Sequence, residues 1–451
     1  MARKPDPYEA RARALAVAAG LDPDERVPNP AKPPGTMPAW CTFRDAAREE
    51  AVKRETEALA TENASLRPQA PEYQNGSLKI FGEHEEATLR QMKNCMRVGN
   101  VVAGVICADG HLGYAQPVGG VIAYEKQISI SGVGFDIACG NMAVQLDLPY
   151  EALQPNVPTI ARDIARTISF GIGRKNEERV EHPLLDDDEA WAAAGVEDMR
   201  RKAAAQLGTV GSGNHYVDLM VDEAGFVWIG VHFGSRGLGH GSATRYLKLA
   251  GGKDGMHVPP AVVDDDGELG ARYIAAMQLA GRYAYAGREW VVERVRRIVG
   301  GAVTDSVHNH HNYAWRERHR DKDVWVVRKG ATPAFPGQRG FVGGSMGDDA
   351  VIIEGVASDL SSSSLHSTIH GAGRLFGRND AKRRFARSEM DEWLRGRGVT
   401  LIGADLDESP MAYRRLPAVL AHHAGTINVL YTLRPFVVVM AGAGEVDPYK
   451  D

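Results

Sequence analysis

The chain has 451 residues, 43% hydrophobic and 25% charged, the balance of an ordinary soluble globular protein and room for two or three average domains or one large one. Its formal net charge of −5 excludes a globally basic nucleic-acid binder, so any such surface must be a local patch. Four scattered cysteines without a CxxC pair exclude a disulfide framework, no apolar run reaches the ~18–20 residues of a membrane helix, and the N-terminus lacks a signal peptide's apolar core, so a cytoplasmic location is expected.

Residues 1–70 differ from the rest. Ala-rich segments at 8–20 and 43–63 predict helices, separated by a Pro-rich connector at 27–38. No catalytic constellation occurs here, and the segment reads as a helical N-terminal extension to a body spanning 71–451. From Tyr73 the grammar changes. Asn75-Gly76 signals a turn before a short strand at 78–81, and 83–98 predicts a helix. Strands are expected at 101–107, 119–125, 142–146, 216–220, 226–233, 324–328, 351–356 and 428–440. Helices are expected at 159–169, 189–206, 268–299 and 381–395, the last with Asp380 as its N-cap. No regular βαβ repeat runs through these elements, so the fold class expected is α+β rather than a doubly wound sheet.

Glycine makes up 50 of the 451 residues, well above the usual ~7%, and most of the excess lies in short clusters between apolar runs, as in an active site built from loops. One cluster, Ser131-Gly-Val-Gly-Phe-Asp-Ile-Ala-Cys-Gly140, carries a hard and a soft metal-binding group, Asp136 and Cys139. Alone such a pair is more often a buried Cys beside a turn. Downstream histidines change the weight of it: His215 enters a strand after Gly211-Ser-Gly-Asn214, His232 ends the apolar run 227–232, and His310-His311-Asn312 forms a third cluster. Up to five ligands exceed what a closed four-ligand zinc site needs and suit two adjacent divalent ions, with waters and a substrate oxygen completing them. Asp109-Gly-His111 follows an apolar strand and reads either as a turn-stabilising pair or as a working one. In His370-Gly-Ala-Gly-Arg374 the small residues leave room for a phosphate beside the imidazole, and no carboxylate partner is evident nearby in sequence. That combination suits a covalent nucleophile toward phosphorus. Gly343-Gly-Ser-Met-Gly347 is a further loop able to cradle phosphate, although no Lys-Ser/Thr follows to make it a Walker A motif. Arg374, Arg378, Lys382, Arg383, Arg384 and Arg387 form a basic run after His370 that offers a track for a polynucleotide backbone.

Taken as a set, these motifs resemble the RtcB family of RNA-splicing ligases from about Asn75 to about Met440. They are Asp109-Gly-His111-Leu-Gly-Tyr, Gly134-Phe-Asp136-Ile-Ala-Cys139-Gly, Gly211-Ser-Gly-Asn214-His215, His232-Phe-Gly-Ser-Arg236-Gly, His310-His311-Asn312, Arg328-Lys-Gly330-Ala, Gly344-Ser-Met-Gly and His370-Gly-Ala-Gly-Arg374. The resemblance implies the family's α+β fold, with mixed sheets around a central metal and nucleotide cleft. It implies a GTP- and Mn²⁺-dependent ligase that joins RNA 3′-phosphate or 2′,3′-cyclic phosphate ends to 5′-hydroxyl ends through a histidyl-GMP, in RNA repair or tRNA splicing. His370 would be the nucleophile, and Asp109 would support the chemistry from beside the metals. Asp136, Cys139, His215, His232 and His311 would hold two Mn²⁺. Asn214, His215, Tyr216, Val217, Asp218, His311, Asn312, Gly343, Gly344, Ser345, Met346, Gly371, Ala372, Gly373 and Arg374 would line the nucleotide, and Arg236 and Arg374 would meet phosphate. The partners expected are RNA ends, with no membrane, a monomeric state, and an activating protein left open.

Three departures fall on the base and loop contacts. The family's Glu that reads guanine is Asp218 here, its loop Pro and Ser are Gly343 and Ala350, and its terminal guanine-binding Lys is replaced by Met440. Retained metal and histidine chemistry with relaxed nucleotide choice is therefore expected. Two other readings stand beside the ligase: a diverged nucleotidyltransferase that caps 3′-phosphate ends of RNA or DNA without sealing, and a catalytically idle RNA-binding relative.

Overall fold

Strand Phe226–Phe233 is apolar except at Gly230 and His232, and every residue after Phe226 is buried. A run without polar alternation needs cover on both faces. In the computed structural model, which describes residues 9–28, 36–43, 46–47, 77–319 and 321–443, this strand lies inside an eight-stranded sheet. The order is Val303–His310, Gly140–Pro149, Phe226–Phe233, Tyr216–Val221, Ile427–Met440, Ala350–Gly355 and Arg339–Val342, with Thr400–Ile402 added in parallel to the end of Ile427–Met440. The sheet curls until its two edges meet. The Phe341 N–H donates to Asn309 Oδ1 at 2.9 Å, Asn141 Nδ2 donates to the Phe341 carbonyl at 2.7 Å, and Arg339 pairs with Asp305 at 2.6 Å. The enclosed core is Ala143, Met220, Trp228, Val307, Phe341, Ile352 and Leu433.

Two helices cover the outer face. Helix Val157–Thr167 presents Val157, Ile160, Ala161 and Ile164, a one-sided stripe, and Pro158 suits its first turn. Helix Glu268–Val299 presents Val291, Val292, Val295 and Val299 to Val217, Ile229, Val231 and Phe233, and stops at Gly300. A second, five-stranded sheet runs Asn312–His319, Lys322–Lys329, Val118–Tyr124, Val101–His111 and Ser77–Ile80, parallel only at its last pair. The architecture is α+β, as expected. Among the described residues no helix is long and apolar enough to cross a membrane.

The chain divides into two compact units, Met1–Pro71 and Glu72–Asp451. The first contains helix Glu9–Ala18 and the antiparallel pair Arg26–Pro28 and Thr36–Pro38. Most of the helix expected at 43–63, and the Asn75–Gly76 turn, lie outside the described residues.

Local chemistry corrects several expected elements. The helix expected at 189–206 is two, Asp188–Ala194 and Arg200–Gln206, because Gly195 adopts φ 58° and ends the first. The helix at 381–395 is also two, Arg378–Arg384 and Arg387–Gly396, parted by extended Phe385 and Ala386. Gly377, not Asp380, caps the first; Asp380 sits in its opening turn and pairs with Arg384 at 2.6 Å. Strands Val303–His310 and Asn312–His319 were not anticipated, since polar and basic residues fill their exposed positions.

Arg328, fully buried on strand Lys322–Lys329, ties the two-stranded Ala331–Pro333/Ser367–Ile369 ribbon to the five-stranded sheet. It bonds Glu317 at 2.6 and 3.1 Å, Ser367 Oγ at 2.8 Å and the Leu365 carbonyl at 2.9 Å. Glu317→Ala leaves that cation without its counter-charge and should lower unfolding stability by about 3–5 kcal/mol, read as a shifted urea midpoint at unchanged slope.

Candidate metal centre and active site

The expected metal ligands meet where the two sheets join, and strand register brings them there. Tyr216 and Asn141 both pair with His232, one on each side, which sets His215 and Cys139 next to it. His310 pairs with Gly140. His311 is the corner at which the chain leaves the closed sheet and enters the five-stranded one, and its N–H donates to the Cys139 carbonyl at 2.8 Å. The Asp136–Cys139 turn is built by Gly134 at φ 85°, Ala138 at φ 62° and a Cys139 N–H bond to the Asp136 carbonyl of 3.0 Å. Gly234 passes so close that a Cβ there would displace the Asp136 carboxylate.

The donor atoms form two triads that share Cys139: Cys139, His232 and His311, and Asp136, Cys139 and His215. Cys139 Sγ lies 3.2 Å from His232 Nε2 and 3.6 Å from His215 Nε2; His232 Nε2 lies 3.3 Å from His311 Nε2, and His215 Nε2 lies 3.0 Å from Asp136 Oδ2. Ligands at ~2.0–2.3 Å from one tetrahedral ion sit about 3.3–3.6 Å apart, close to these spacings. His232 Nδ1 donates to the Asn214 carbonyl at 2.8 Å, which leaves Nε2 as the free lone pair.

Electrostatics fit the same reading. Burial holds His232 neutral, its pKa drawn down to about 3, and burial with His370 nearby draws His311 well below the ordinary imidazole range. Burial opposes ionisation of Asp136, but His215, Cys139 and Arg236 together outweigh it and bring the carboxyl to about 2. Burial, reinforced by Asp136, pushes the Cys139 thiol well up. A coordinated cation reverses that last effect, because a ligating thiol gives up its proton. A thiolate, a carboxylate and three imidazoles therefore suit one or two borderline divalent ions bridged by sulfur.

His370 ends strand Ser367–Ile369, its ring centroid 4.9 Å from that of His311. Sequence reasoning found no carboxylate for it. The structure supplies Asp109, 261 residues earlier, with Oδ2 at 2.6 Å from His370 Nδ1 and 3.0 Å from its backbone nitrogen. Burial would raise the Asp109 carboxyl, but His370 outweighs it and holds it below the ordinary value. An ionised Asp109 accepts from Nδ1–H, so Nε2 carries the lone pair. Gly373, at φ 76°, packs its backbone against the Asp109 carbonyl and locks the loop in place.

Gly371 bridges to Gly343, Ala372 is buried, and the Tyr216 hydroxyl abuts Gly343. Tyr216, Met346 and Met440 share an apolar cluster with Met390 and Leu394 of helix Arg387–Gly396. Ser345 Oγ donates to Asp348 at 2.7 Å, Gly344 packs against the Asp349 carbonyl, and Asn312 Oδ1 accepts from the Gly330 N–H at 2.7 Å. Asp218 Oδ1 is buried without a hydrogen-bond partner, and burial pushes its carboxyl well up. Val217 alternates to the other face, with its side chain in the core under the long helix. Arg236 is turned to the Gly171 carbonyl at 2.8 Å.

The basic run is not a bare track. Arg374 bonds the Tyr413 hydroxyl at 2.7 Å and the Asp407 carbonyl at 2.7 Å; Arg378 pairs with Asp407 at 3.0 Å and with Glu408. Lys382 pairs with Asp405 at 2.5 Å, Arg383 and Arg384 with Asp380, and Arg387 with Asp391 at 3.0 Å. The acidic 405–408 segment lies too far along the chain for local charge patterning to reveal it.

Comparison with known proteins follows this geometry. The family model described as tRNA-splicing ligase RtcB matches residues 91–441. The RNA-splicing ligase RtcB of Escherichia coli (strain K12) is 31% identical over 419 residues, covering 85% of this chain and 99% of the relative. The tRNA-splicing ligase RtcB of Thermococcus kodakarensis is 31% identical over 439 residues, covering 78% and 91%. That of Archaeoglobus fulgidus is 29% identical over 453 residues, covering 82% and 94%. The chain belongs to the RtcB family.

Proposed function

We propose that this protein is an RNA ligase that joins 3′-phosphate or 2′,3′-cyclic phosphate ends to 5′-hydroxyl ends, using GTP and two Mn²⁺, in RNA repair or tRNA splicing. The observation that carries this reading is the 2.6 Å Asp109–His370 contact beside the shared-thiol ligand set. His370 Nε2, its lone pair exposed by that contact, attacks the α-phosphorus of GTP; an N–P bond forms and pyrophosphate leaves. A 2′,3′-cyclic end is first opened by water to a 3′-phosphate; the GMP passes to that 3′-phosphate, freeing His370, and the 5′-hydroxyl oxygen then displaces GMP as the phosphodiester forms. Mn²⁺ held by Asp136, Cys139, His215, His232 and His311 would neutralise phosphate charge. Gly371, Ala372 and Gly373 allow close approach of the phosphates, and Tyr216, Met346 and the 343–347 loop flank the nucleoside.

The test pairs two assays. Labelled GTP with Mn²⁺ should give an acid-labile protein adduct, and 3′-phosphate with 5′-hydroxyl RNA should be sealed. A capped but unsealed end supports the nucleotidyltransferase alternative, and no adduct supports the idle relative.

Base choice should be loosened. Asp218 is one methylene shorter than the family's Glu, and Met440, in the apolar cluster, cannot make the charged contact of the family's Lys. A lost hydrogen bond to a base edge costs ~1–3 kcal/mol, roughly a tenfold to hundredfold weaker preference. Across the four labelled NTPs, more than one should label His370. Strong labelling by GTP alone would reject this.

A further inference from the structure

We propose that Arg288 is the positioning residue that holds Cys139, His232 and His311 together as one ligand triad. The inference deepens the reading of these residues as metal ligands and rests on it.

Arg288 lies in the middle of helix Glu268–Val299 and is fully buried. Its acceptors are unusual. Nη1 donates to the Ala138 carbonyl at 3.1 Å and to the Phe233 carbonyl at 2.6 Å. Nη2 bonds His310 Nδ1 at 2.9 Å, and Nε donates to His308 Nε2 at 2.8 Å. Ala138 precedes Cys139, Phe233 follows His232, and His310 precedes His311. One rigid guanidinium thus fastens the backbone or side chain adjacent to each of the three ligands, which come from three separate chain segments. No carboxylate forms an ion pair with it among the described residues. A guanidinium is costly to bury without a counter-charge, so a merely structural site would be better served by an apolar residue. What the planar fork provides is simultaneous reach to acceptors in several directions, which a lysine's single nitrogen lacks. Tyr285 backs the arrangement, its ring centroid 4.0 Å from His308 and 4.1 Å from His310. Partners outside the ligand set that orient it typically carry about 10–100-fold in metal affinity.

The experiment titrates Co²⁺ alone into the full-length apo protein and follows thiolate-to-cobalt charge-transfer absorption, with Cys139→Ser to assign the band. Arg288→Lys and Arg288→Met are compared with the unmodified protein, and near-UV circular dichroism reports folding. The expected result is folded variants whose Co²⁺ affinity through the thiolate falls about 10–100-fold, with the lysine variant not restoring it. Folded variants of unaltered affinity overturn the proposal while leaving the ligand reading intact. Absence of the band in the unmodified protein fails the ligand reading itself. If neither variant folds, Arg288 serves the whole fold rather than the triad, and the proposal is likewise overturned.

Discussion

Asp109→Asn should slow formation of the nucleotide–His370 adduct by about 10³–10⁴-fold, equivalent to ~4–5.5 kcal/mol of barrier, with Mn²⁺ binding unchanged. With an ionised Asp109, Nδ1 carries the proton and Nε2 is left as the proposed nucleophile; the contact is 2.6 Å, and Asp109 also takes the His370 backbone N–H at 3.0 Å. An amide can turn its NH₂ toward Nδ1 and so favour the tautomer in which Nε2 holds the proton and cannot attack. It also removes the anion that stabilises the positive charge developing on the ring as the N–P bond forms and pyrophosphate leaves. The same Oδ2 takes the His370 backbone N–H, so an NH₂ turned toward Nδ1 gives up that bond as well. Single-turnover labelling with radioactive GTP measures the rate, and calorimetry measures Mn²⁺. Should the variant label at nearly the normal rate but bind Mn²⁺ weakly, Asp109 acts on the ions rather than on His370. His370→Ala should give no adduct at all.

Asp136, Cys139 and His215 were legible because they sit in glycine-rich turns beside strand ends, and His232 and His311 because they fall at or next to strand ends, His311 in a run of polar residues. Their convergence was not, since it depends on register: Cys139 and His232 become neighbours only through the pairing of Gly140–Pro149 with Phe226–Phe233. The partner of His370 was illegible for the same reason, with 261 residues intervening. Periodicity placed the long helix at 268–299 correctly, yet it missed the interruption at Phe385 and Ala386, where no Gly or Pro marks the break. The basic run after His370 looked exposed because its acids, Asp405, Asp407 and Glu408, come later in the chain. Arg288 carried no signal at all: one arginine among several on a helix, distinguished only by what surrounds it.

Cys139→Ala should abolish binding of both ions, whereas His215→Ala should spare one. The asymmetry follows from the shared sulfur, since Cys139 belongs to both triads while His215 belongs to the Asp136 set alone and His232 and His311 to the other. Removing the thiolate leaves each ion with two protein ligands and takes away the anion that each most depends on. Loss of a mere supporting partner costs about 10–100-fold in affinity, so loss of a bridging ligand should exceed ~100-fold at both sites. Stoichiometry by calorimetry should fall from two Mn²⁺ to none in Cys139→Ala and to one in His215→Ala. Stability gives an independent readout. At 100 times the dissociation constant, one bound ion adds ~2.7 kcal/mol to the folded state, so Mn²⁺ should raise the melting temperature of the unmodified protein but not of Cys139→Ala. In the metal-free state the same substitution should cost little, because burial already keeps the Cys139 thiol protonated and it packs there as a small apolar group. If Cys139→Ala still bound one Mn²⁺ at full strength, the sulfur would serve a single ion and the bridged pair would have to be abandoned.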